Sequence, residues 1–159
     1  GSGGAGKSTL AREVGARLGL PVVHLDQHFW RARWVEIPRD EWVEVVRALV
    51  AEERWVMDGN YSGQIDVRLA RADAVVLLDL PRLLCLTRVL RRWWRYRGRS
   101  RPDMTPGCPE HVSVEFLRWI WTYPDRSRPK VLAAVRAAGV PLVRLRSPGS
   151  VDRWLATLK

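Results

Sequence analysis

The sequence predicts an α/β fold in which a parallel β-sheet carries helices on both faces. Short apolar segments alternate with longer segments whose apolar residues recur every three or four positions. A glycine-rich segment, residues 1–8, has the spacing G-x-x-x-x-G-K-[ST], which is typical of phosphate binding. Three apolar segments end in an aspartate (Asp26, Asp58 and Asp79), where parallel sheets bind their ligands. The chain is predicted to be a single domain, 1–159.

The glycine-rich segment predicts a phosphate-binding loop. Glycines let successive N–H groups point at one anion, and the helix that follows Gly6 directs its positive end there. Lys7 is expected to reach the β- and γ-phosphates of ATP, and the Ser8 hydroxyl to bind Mg²⁺. A flexible terminus that matches by chance is the alternative, but apolar residues at helical spacing follow the loop. The residues expected to bind the nucleotide here are Gly1, Gly3, Gly4, Ala5, Gly6, Lys7, Ser8 and Thr9.

A loop of this kind normally follows a buried strand. In this sequence the loop pattern begins at Gly1. We therefore expect the first strand of the sheet to be missing from this chain, through a truncated reading frame or a shortened fragment. Neighbouring strands would then lack its ladder hydrogen bonds and its core side chains.

The strands are predicted where short runs of apolar residues are bounded by turn or helix signals. The run before Asp79 is the most apolar of them, and the run at the carboxyl-terminal end follows Gly139. The predicted strands are 21–26, 55–58, 74–80 and 140–145.

The helices are predicted from their apolar faces and from the residues at their ends. Gly19 is placed to end the first helix, and Pro81 is placed to begin the helix after the third strand. Residues 97–110, which hold arginines, prolines and glycines, are predicted to form a mobile loop. The further predicted helices are 40–53, 65–70, 81–96, 112–123, 128–138 and 150–158.

The aspartates at the strand ends are candidates for the chemistry. Asp58 and Asp79 compete for the role of the carboxylate that completes a Mg²⁺ site with Ser8. Asp26 would face the phosphoryl acceptor and would serve as a base if the acceptor is a hydroxyl group, because a phosphate acceptor is already ionised. An acid that merely solvates the junction of a strand and a loop is the simpler alternative.

Arg88 and Arg92 lie four positions apart on the predicted helix after Asp79 and therefore share a face. In phosphoryl transfer, arginines neutralise charge on the group that moves, and a closing loop excludes water. We expect these two arginines to be catalytic together with Lys7 and Asp26. A solvated cationic helix is the alternative.

The net charge of +10 comes from 27 Lys and Arg residues against 17 Asp and Glu residues. Most of the basic residues are arginines, whose planar fork binds phosphate, so the charge indicates a polyphosphate substrate or nucleic acid. Two cysteines are too few for a disulfide framework. No apolar run reaches the length of a membrane span, and together these features predict a cytoplasmic protein.

Four segments beyond the loop resemble those of the adenylate-kinase-like proteins known as DNA topology modulation proteins. They are HLDQHFW (24–30), WVMDGNY (55–61), DLPR (79–82) and RPDMTPGCPE (101–110). The resemblance covers essentially the whole chain. It implies a P-loop NTPase fold of the nucleoside-monophosphate-kinase type, with a five-stranded parallel sheet and a short lid.

The resemblance also implies roles for individual residues. Arg88 falls where adenylate kinases place an arginine against ATP, and Arg92 falls on the arginine that contacts the transferring phosphate. Residues 97–110 would be the lid, without zinc cysteines, and Ser147 with Pro148 would lie near the adenine. Adenylate kinases follow the Asp-Gly step with Phe-Pro-Arg, whose arginine holds the AMP phosphate. Here residues 60–62 are Asn-Tyr-Ser, so AMP is not implied as the acceptor.

Two functions are predicted. The first is an ATP-binding P-loop kinase that uses ATP and Mg²⁺ to transfer the γ-phosphoryl group to a nucleotide or other small-molecule acceptor. The alternative is a nucleotide-gated nucleic-acid-binding protein that affects DNA topology without kinase activity. The interleaved arginines and tryptophans of residues 91–101 favour the second.

Overall fold

The computed structural model describes residues 1–158, in which eight α-helices and six short strands alternate. This confirms the predicted α/β class. The strands are β1 (Val22–His24), β2 (Trp30–Arg31), β3 (Val35–Glu36), β4 (Val56–Asp58), β5 (Val75–Leu78) and β6 (Leu142–Leu145). The helices are α1 (Lys7–Leu18), α2 (Leu25–Phe29), α3 (Arg39–Ala51), α4 (Ile65–Leu69), α5 (Arg82–Arg95), α6 (Val114–Arg126), α7 (Arg128–Ala138) and α8 (Pro148–Thr157).

Glycines mark both ends of α1. Gly6 precedes the helix with a φ of 94°, and Gly19 follows it with a φ of 61°. Both angles lie in the left-handed region, which glycine adopts without steric cost. The helix therefore begins and ends where the sequence predicts, and its first turn follows the glycine-rich loop directly.

The strands form three separate pairs rather than the one sheet that was predicted. β1 pairs with β4 and β5 pairs with β6, both in parallel, whereas β2 and β3 form an antiparallel hairpin. No ladder joins β4 to β5 within residues 1–158, so the prediction of a continuous parallel sheet is wrong for this structure. The β5–β6 pair lies beside the glycine-rich loop, since Gly1 packs against Leu78 at the end of β5.

Each parallel pair has its own core. The β5–β6 core is centred on α5 and α6, and its buried residues are Ala5, Leu10, Leu78, Leu80, Cys85, Val89, Ile120 and Leu145. The β1–β4 core is covered by α3, and its buried residues are Leu25, Ile37, Trp42, Val46 and Val50. The β5–β6 core packs against the glycine-rich loop, because Ala5 of the loop is one of its buried residues.

The segment after β1 differs from the prediction. The predicted strand 21–26 ends at His24, and the chain turns directly into α2, so Asp26 lies in a helix rather than at a strand end. The β2–β3 hairpin was not predicted. It turns through Arg33 and Trp34, which hold φ angles of 63° and 60° although neither is a glycine. Such angles cost about 1 to 3 kcal/mol and persist only where the surroundings impose them.

Helix α6 begins at Val114 and runs through Pro124 to Arg126, so it starts and ends later than the predicted helix 112–123. The Ser113 hydroxyl accepts a hydrogen bond from the Phe116 amide and thereby caps the first turn. Within residues 1–158, none of the helices is both long and apolar enough to cross a membrane.

Candidate functional site

A large cleft of about 1610 Å³ collects most of the residues that the sequence singled out. Its walls come from the glycine-rich loop, α1, α2, α5, the end of β4, the β2–β3 hairpin, and residues 97–110, here called the lid loop. The predicted site residues that line it are Gly3, Gly4, Ala5, Gly6, Lys7, Ser8, Thr9, Asp26, Asp58, Arg88, Arg92 and Pro148. Gly1, Asp79 and Ser147 are not among its lining residues.

The loop glycines are required by close approach. A Cβ atom on Gly4 would lie 2.2 Å from the carbonyl oxygen of Cys85, and Gly4 also has a left-handed φ of 73°. A Cβ atom on Gly3 would lie 2.8 Å from the ring of Phe116. Both distances are shorter than real Cβ contacts, so the loop packs directly on α5 and α6. The glycines therefore determine where the loop backbone lies.

The ammonium group of Lys7 donates a hydrogen bond to the Ser2 carbonyl of the glycine-rich loop at 2.9 Å. Burial lowers the pKa of Lys7, and the nearby carboxylates of Asp58 and Asp26 partly oppose that shift. The cleft therefore places one cation close to two of the three predicted aspartates. A phosphate at the loop would meet Lys7 directly.

Asp58 is the last residue of β4, and a residue of the neighbouring strand β1 contacts its carboxylate. Oδ1 of Asp58 lies 2.8 Å from Nδ1 of His24, the last residue of β1. This hydrogen bond raises the pKa of His24, because it favours the protonated ring. The second carboxylate oxygen of Asp58 makes no hydrogen bond within residues 1–158.

Arg88 and Arg92 lie on α5 and face different partners. Arg88 donates a hydrogen bond to the Ala5 carbonyl at 3.3 Å and so lies against the glycine-rich loop. Arg92 donates to Glu110 at 2.9 Å, and Glu110 is almost fully buried. The two arginines share a helix face, as predicted, but Arg92 is bound to a carboxylate of the lid loop.

An ion-pair network closes the lid loop over the cleft. Arg101 pairs with Glu110 and, at 3.0 Å, with Asp103. Burial alone would raise the pKa of Asp103, but the charge of Arg101 and the polar groups near the carboxylate, the Ser8 hydroxyl among them, together lower that pKa. Ser8, which was predicted to bind Mg²⁺, is therefore next to a lid carboxylate.

The lid loop is also bonded to the segment 27–34. Thr105 donates to the Trp30 carbonyl at 2.6 Å, the Arg33 amide donates to the Gly107 carbonyl at 2.9 Å, and the Trp34 indole donates to the Pro109 carbonyl at 3.0 Å. Met104, Cys108 and Glu110 are buried. The predicted mobile loop is thus a packed segment that is anchored to the hairpin.

The end of the cleft away from Arg88 is aromatic. Tyr61 donates a hydrogen bond to Asp26 at 2.6 Å, and burial with the Asp26 charge raises the pKa of Tyr61, so its hydroxyl stays protonated. The Trp34 ring lies 5.3 Å from the Trp30 ring and 4.7 Å from the His111 ring. All five side chains belong to residues that line the cleft.

Asp79 lies outside the cleft, contrary to its predicted role beside Ser8. Its carboxylate accepts hydrogen bonds from Arg128 at 3.0 Å and from Arg144 at 2.9 Å. It lines a smaller cavity of about 260 Å³ with Pro124 and Arg146. Because both oxygens are engaged by arginines, Asp79 joins structural elements and is not a metal ligand in this arrangement. Between the two candidates, only Asp58 faces the cleft.

Two further predicted site residues, Ser147 and Gly1, make structural contacts outside the cleft. Ser147 caps α8 by accepting a hydrogen bond from the Ser150 amide, while its neighbour Pro148 reaches the cleft. Gly1 packs on Leu78, where a Cβ atom would lie 2.5 Å from the Leu78 carbonyl oxygen. Neither Gly1 nor Ser147 lines the cleft, so contact with a nucleotide stays a prediction for both.

Sequence reasoning missed the residues whose partners lie far away in the chain. Asp103 and Glu110 were noticed only as part of the segment 101–110, and Tyr61 only as part of the segment 55–61 and as a departure from the adenylate kinase pattern. Their roles depend on contacts with Arg92, Arg101 and Asp26, which no local pattern encodes.

Within residues 1–158, no group of three or more histidine, cysteine, aspartate or glutamate side chains is arranged to hold a metal ion. Mg²⁺ commonly binds through one or two protein oxygens together with substrate phosphates and water. The Ser8 hydroxyl and the free oxygen of Asp58 fit that pattern. No protein-family model, no curated protein and no solved structure matches this chain.

Proposed function

We propose that this protein is a P-loop phosphotransferase that uses ATP and Mg²⁺ to phosphorylate a nucleotide or another small-molecule acceptor. One observation carries the proposal: a glycine-rich loop, Lys7, Arg88 and the carboxylates of Asp26 and Asp58 line the same cleft. A glycine-rich segment that matched the pattern by chance would not be expected to line a cleft together with the arginines of α5 and two carboxylates.

Phosphate binding is the first task of the site. The loop amides and the N-terminus of α1 bind the phosphates, and Lys7 neutralises the charge of the outer ones. Arg88 already contacts the loop through Ala5, so its guanidinium lies within reach of the same anion. Ser8 and Asp58 would hold Mg²⁺, which when bound would supply positive charge to the outer phosphates.

Transfer also needs positive charge around the group that moves. Arg92 supplies it once Glu110 no longer occupies its guanidinium. The lid loop, through Asp103 and Glu110, covers this part of the cleft and excludes water, which would otherwise compete with the acceptor. Asp26 lies on the acceptor side, where it orients the attacking group or takes its proton.

The test compares the native protein with Lys7→Ala and with Lys130→Ala, a matched control on the exposed surface of α7. We expect Lys7→Ala to weaken Mg·ATP binding and to lower transfer by about a hundredfold or more. Isothermal titration calorimetry gives binding, a coupled ADP assay gives turnover, and a thermal melt shows whether each variant folds. Normal turnover by a folded Lys7→Ala variant would refute the proposal.

A second candidate function is nucleotide-gated binding of nucleic acid, and one surface favours it. Arg91, Arg95, Arg97 and Arg99 are exposed around the carboxyl-terminal end of α5, and Trp94 beside them is 73 % exposed. A basic surface with a stacking side chain suits single-stranded nucleic acid. This function predicts oligonucleotide binding that weakens steeply with salt and depends on ATP. Fluorescence anisotropy with and without ATP tests it, and absent binding at physiological salt would exclude it.

A further inference from the structure

The arginines that line the cleft differ in whether a carboxylate already binds them. Arg88, Arg91 and Arg95 of α5 line the cleft, and none of the three contacts a carboxylate within residues 1–158. At the end bounded by Asp26, Tyr61, the hairpin and the lid loop, two arginines are already bound. Arg92 and Arg101 both pair with Glu110.

A third arginine near this end, Arg68, is also bound, in its case to backbone carbonyls. Arg68 of α4 donates hydrogen bonds to the carbonyls of Gly59 and Tyr61, at 3.1 Å and 2.7 Å. It therefore holds the backbone of the segment after β4 and does not present its guanidinium to the cleft. A phosphate group on the acceptor could bind Arg92 or Arg101 only by displacing Glu110, and Arg68 only by displacing these carbonyls, because a phosphate needs a charged or N–H partner when it leaves water.

The same end instead offers a proton acceptor. Asp26 accepts the Tyr61 hydroxyl through Oδ1 at 2.6 Å, and its other oxygen makes no hydrogen bond within residues 1–158. Tyr61 fixes the carboxylate without consuming its second oxygen. A carboxylate held in this way near Lys7 suits a hydroxyl acceptor, which must lose a proton, better than a phosphate acceptor, which has none to lose at neutral pH.

The walls at this end favour a flat ring. Trp30 and Trp34 meet edge to face at 5.3 Å, and both line the cleft with only partial burial. The indole of Trp34 is fixed by its hydrogen bond to Pro109 and by contact with His111. Fixed aromatic faces bind planar rings with little loss of conformational entropy.

We propose, on the basis of the phosphotransferase function above, that the acceptor is an uncharged molecule with a planar ring and a free hydroxyl group, such as a nucleoside rather than a nucleoside monophosphate. The acceptor hydroxyl oxygen forms a bond to the γ-phosphorus of ATP. The bond from that phosphorus to the β–γ bridging oxygen breaks, and ADP leaves with its electron pair. The hydroxyl proton passes to Asp26.

The experiment uses matched pairs of acceptors with the native protein and Mg·ATP. Adenosine, guanosine, cytidine and thymidine are each compared with their own 5′-monophosphate, and the phosphorylated products are identified by mass spectrometry. We expect at least one nucleoside to have a kcat/KM higher than that of its monophosphate by about tenfold or more. Equal or better use of the monophosphates would overturn the inference, as would failure of every nucleoside.

Variants test whether the named side chains are responsible. Trp30→Ala is expected to raise KM for the nucleoside with little change in kcat, Trp30→Phe to recover most of the loss, and Asp26→Asn to lower kcat while nucleoside binding persists. Trp121→Ala, on the exposed side of α6 and outside the cleft lining, is the control. Calorimetry with a non-hydrolysable ATP analogue measures nucleoside binding directly. If Trp30→Ala and Trp121→Ala behave alike in a folded protein, the aromatic wall is not the acceptor site.

Measuring Mg·ATP binding in the same samples distinguishes failure of this inference alone from failure of the proposed function. A protein that binds Mg·ATP and phosphorylates only monophosphates keeps the proposed function and loses this inference. A folded protein that binds no Mg·ATP loses both.

Discussion

The guanidinium of Arg144 donates from Nε to Oδ2 of Asp79 at 2.9 Å, and Arg128 donates to both oxygens of the same carboxylate at 3.0 Å and 3.2 Å. Asp79 follows β5, Arg144 lies in β6, and Arg128 begins α7. One carboxylate therefore joins a parallel strand pair to the helix that precedes its second strand. It is a structural centre rather than part of the cleft.

Asp79→Asn should destabilise the protein by about 2 kcal/mol at neutral pH, because hydrogen bonds between charged partners are replaced by neutral ones. Burial raises the pKa of Asp79, but the hydrogen bonds from Arg144 and Arg128 outweigh it, so the net shift is downward. The stabilisation is therefore complete above the unfolded pKa of about 3.9 and disappears as the pH falls through the lower folded value.

Urea unfolding of the native protein and of Asp79→Asn, at several pH values between neutral and acid, measures this difference. Asp73→Asn is the control, since Asp73 is exposed and forms no ion pair within residues 1–158. A difference that grows towards acid pH would contradict the assignment.

Gly4→Ala should remove Mg·ATP binding and lower stability by about 2 kcal/mol or more, because an alanine is strained at positive φ and its Cβ would overlap the Cys85 carbonyl. The loop must move away from α5 to accept it. Gly63→Ala is the matched change, since a Cβ there meets nothing within 4 Å. Thermal melts and calorimetry with Mg·ATP check both variants, and normal ATP binding by Gly4→Ala would show that the loop backbone is not the phosphate site.

Glu110→Gln should loosen the lid loop without unfolding the protein. The carboxylate separates Arg92 from Arg101, and without its charge the two guanidinium groups repel each other. Amide hydrogen exchange in residues 97–110 is expected to become faster by on the order of tenfold, while exchange in α5 and α6 stays unchanged. The fully exposed Glu115, as Glu115→Gln, provides the comparison. Equal exchange in the two variants would mean that the ion pairs do not hold the lid loop.

The two cysteines should resist thiol reagents in the folded protein. Burial raises the pKa of the Cys85 thiol, and the Cys108 thiol is 1 % exposed and donates to the Arg31 carbonyl. Reaction with an aromatic disulfide reagent should be slower than in denaturant by about a hundredfold. In Glu110→Gln, Cys108 should react first because it belongs to the lid loop. Fast labelling of Cys85 in the native protein would contradict the packing of α5.

The local parts of the site were predictable because their signals are local. The spacing from Gly1 to Ser8 predicts a loop followed by a helix, and Gly6 and Gly19 indeed flank α1. The separation of Arg88 and Arg92 by one helical turn places both on the cleft side of α5. Glycines and helical periodicity act over a few residues, so sequence alone is sufficient for them.

The remaining features depend on distant partners. Asp58 and Asp79 have the same pattern, an apolar strand followed by an acid, and the sequence could not choose between them. The choice follows from Arg128 and Arg144, which occupy Asp79, and from His24, which leaves one oxygen of Asp58 free. The hairpin was missed for a similar reason, since strands of two residues carry almost no periodic signal.

The hydrogen bonds between the lid loop and the hairpin couple two motions that would otherwise be independent. Thr105, Gly107 and Pro109 are bonded to the segment 30–34, so the loop cannot swing away alone. Any opening wide enough for a triphosphate must carry the aromatic wall with it or break these bonds. Under the proposed function, the phosphate end and the aromatic end of the cleft would therefore open together.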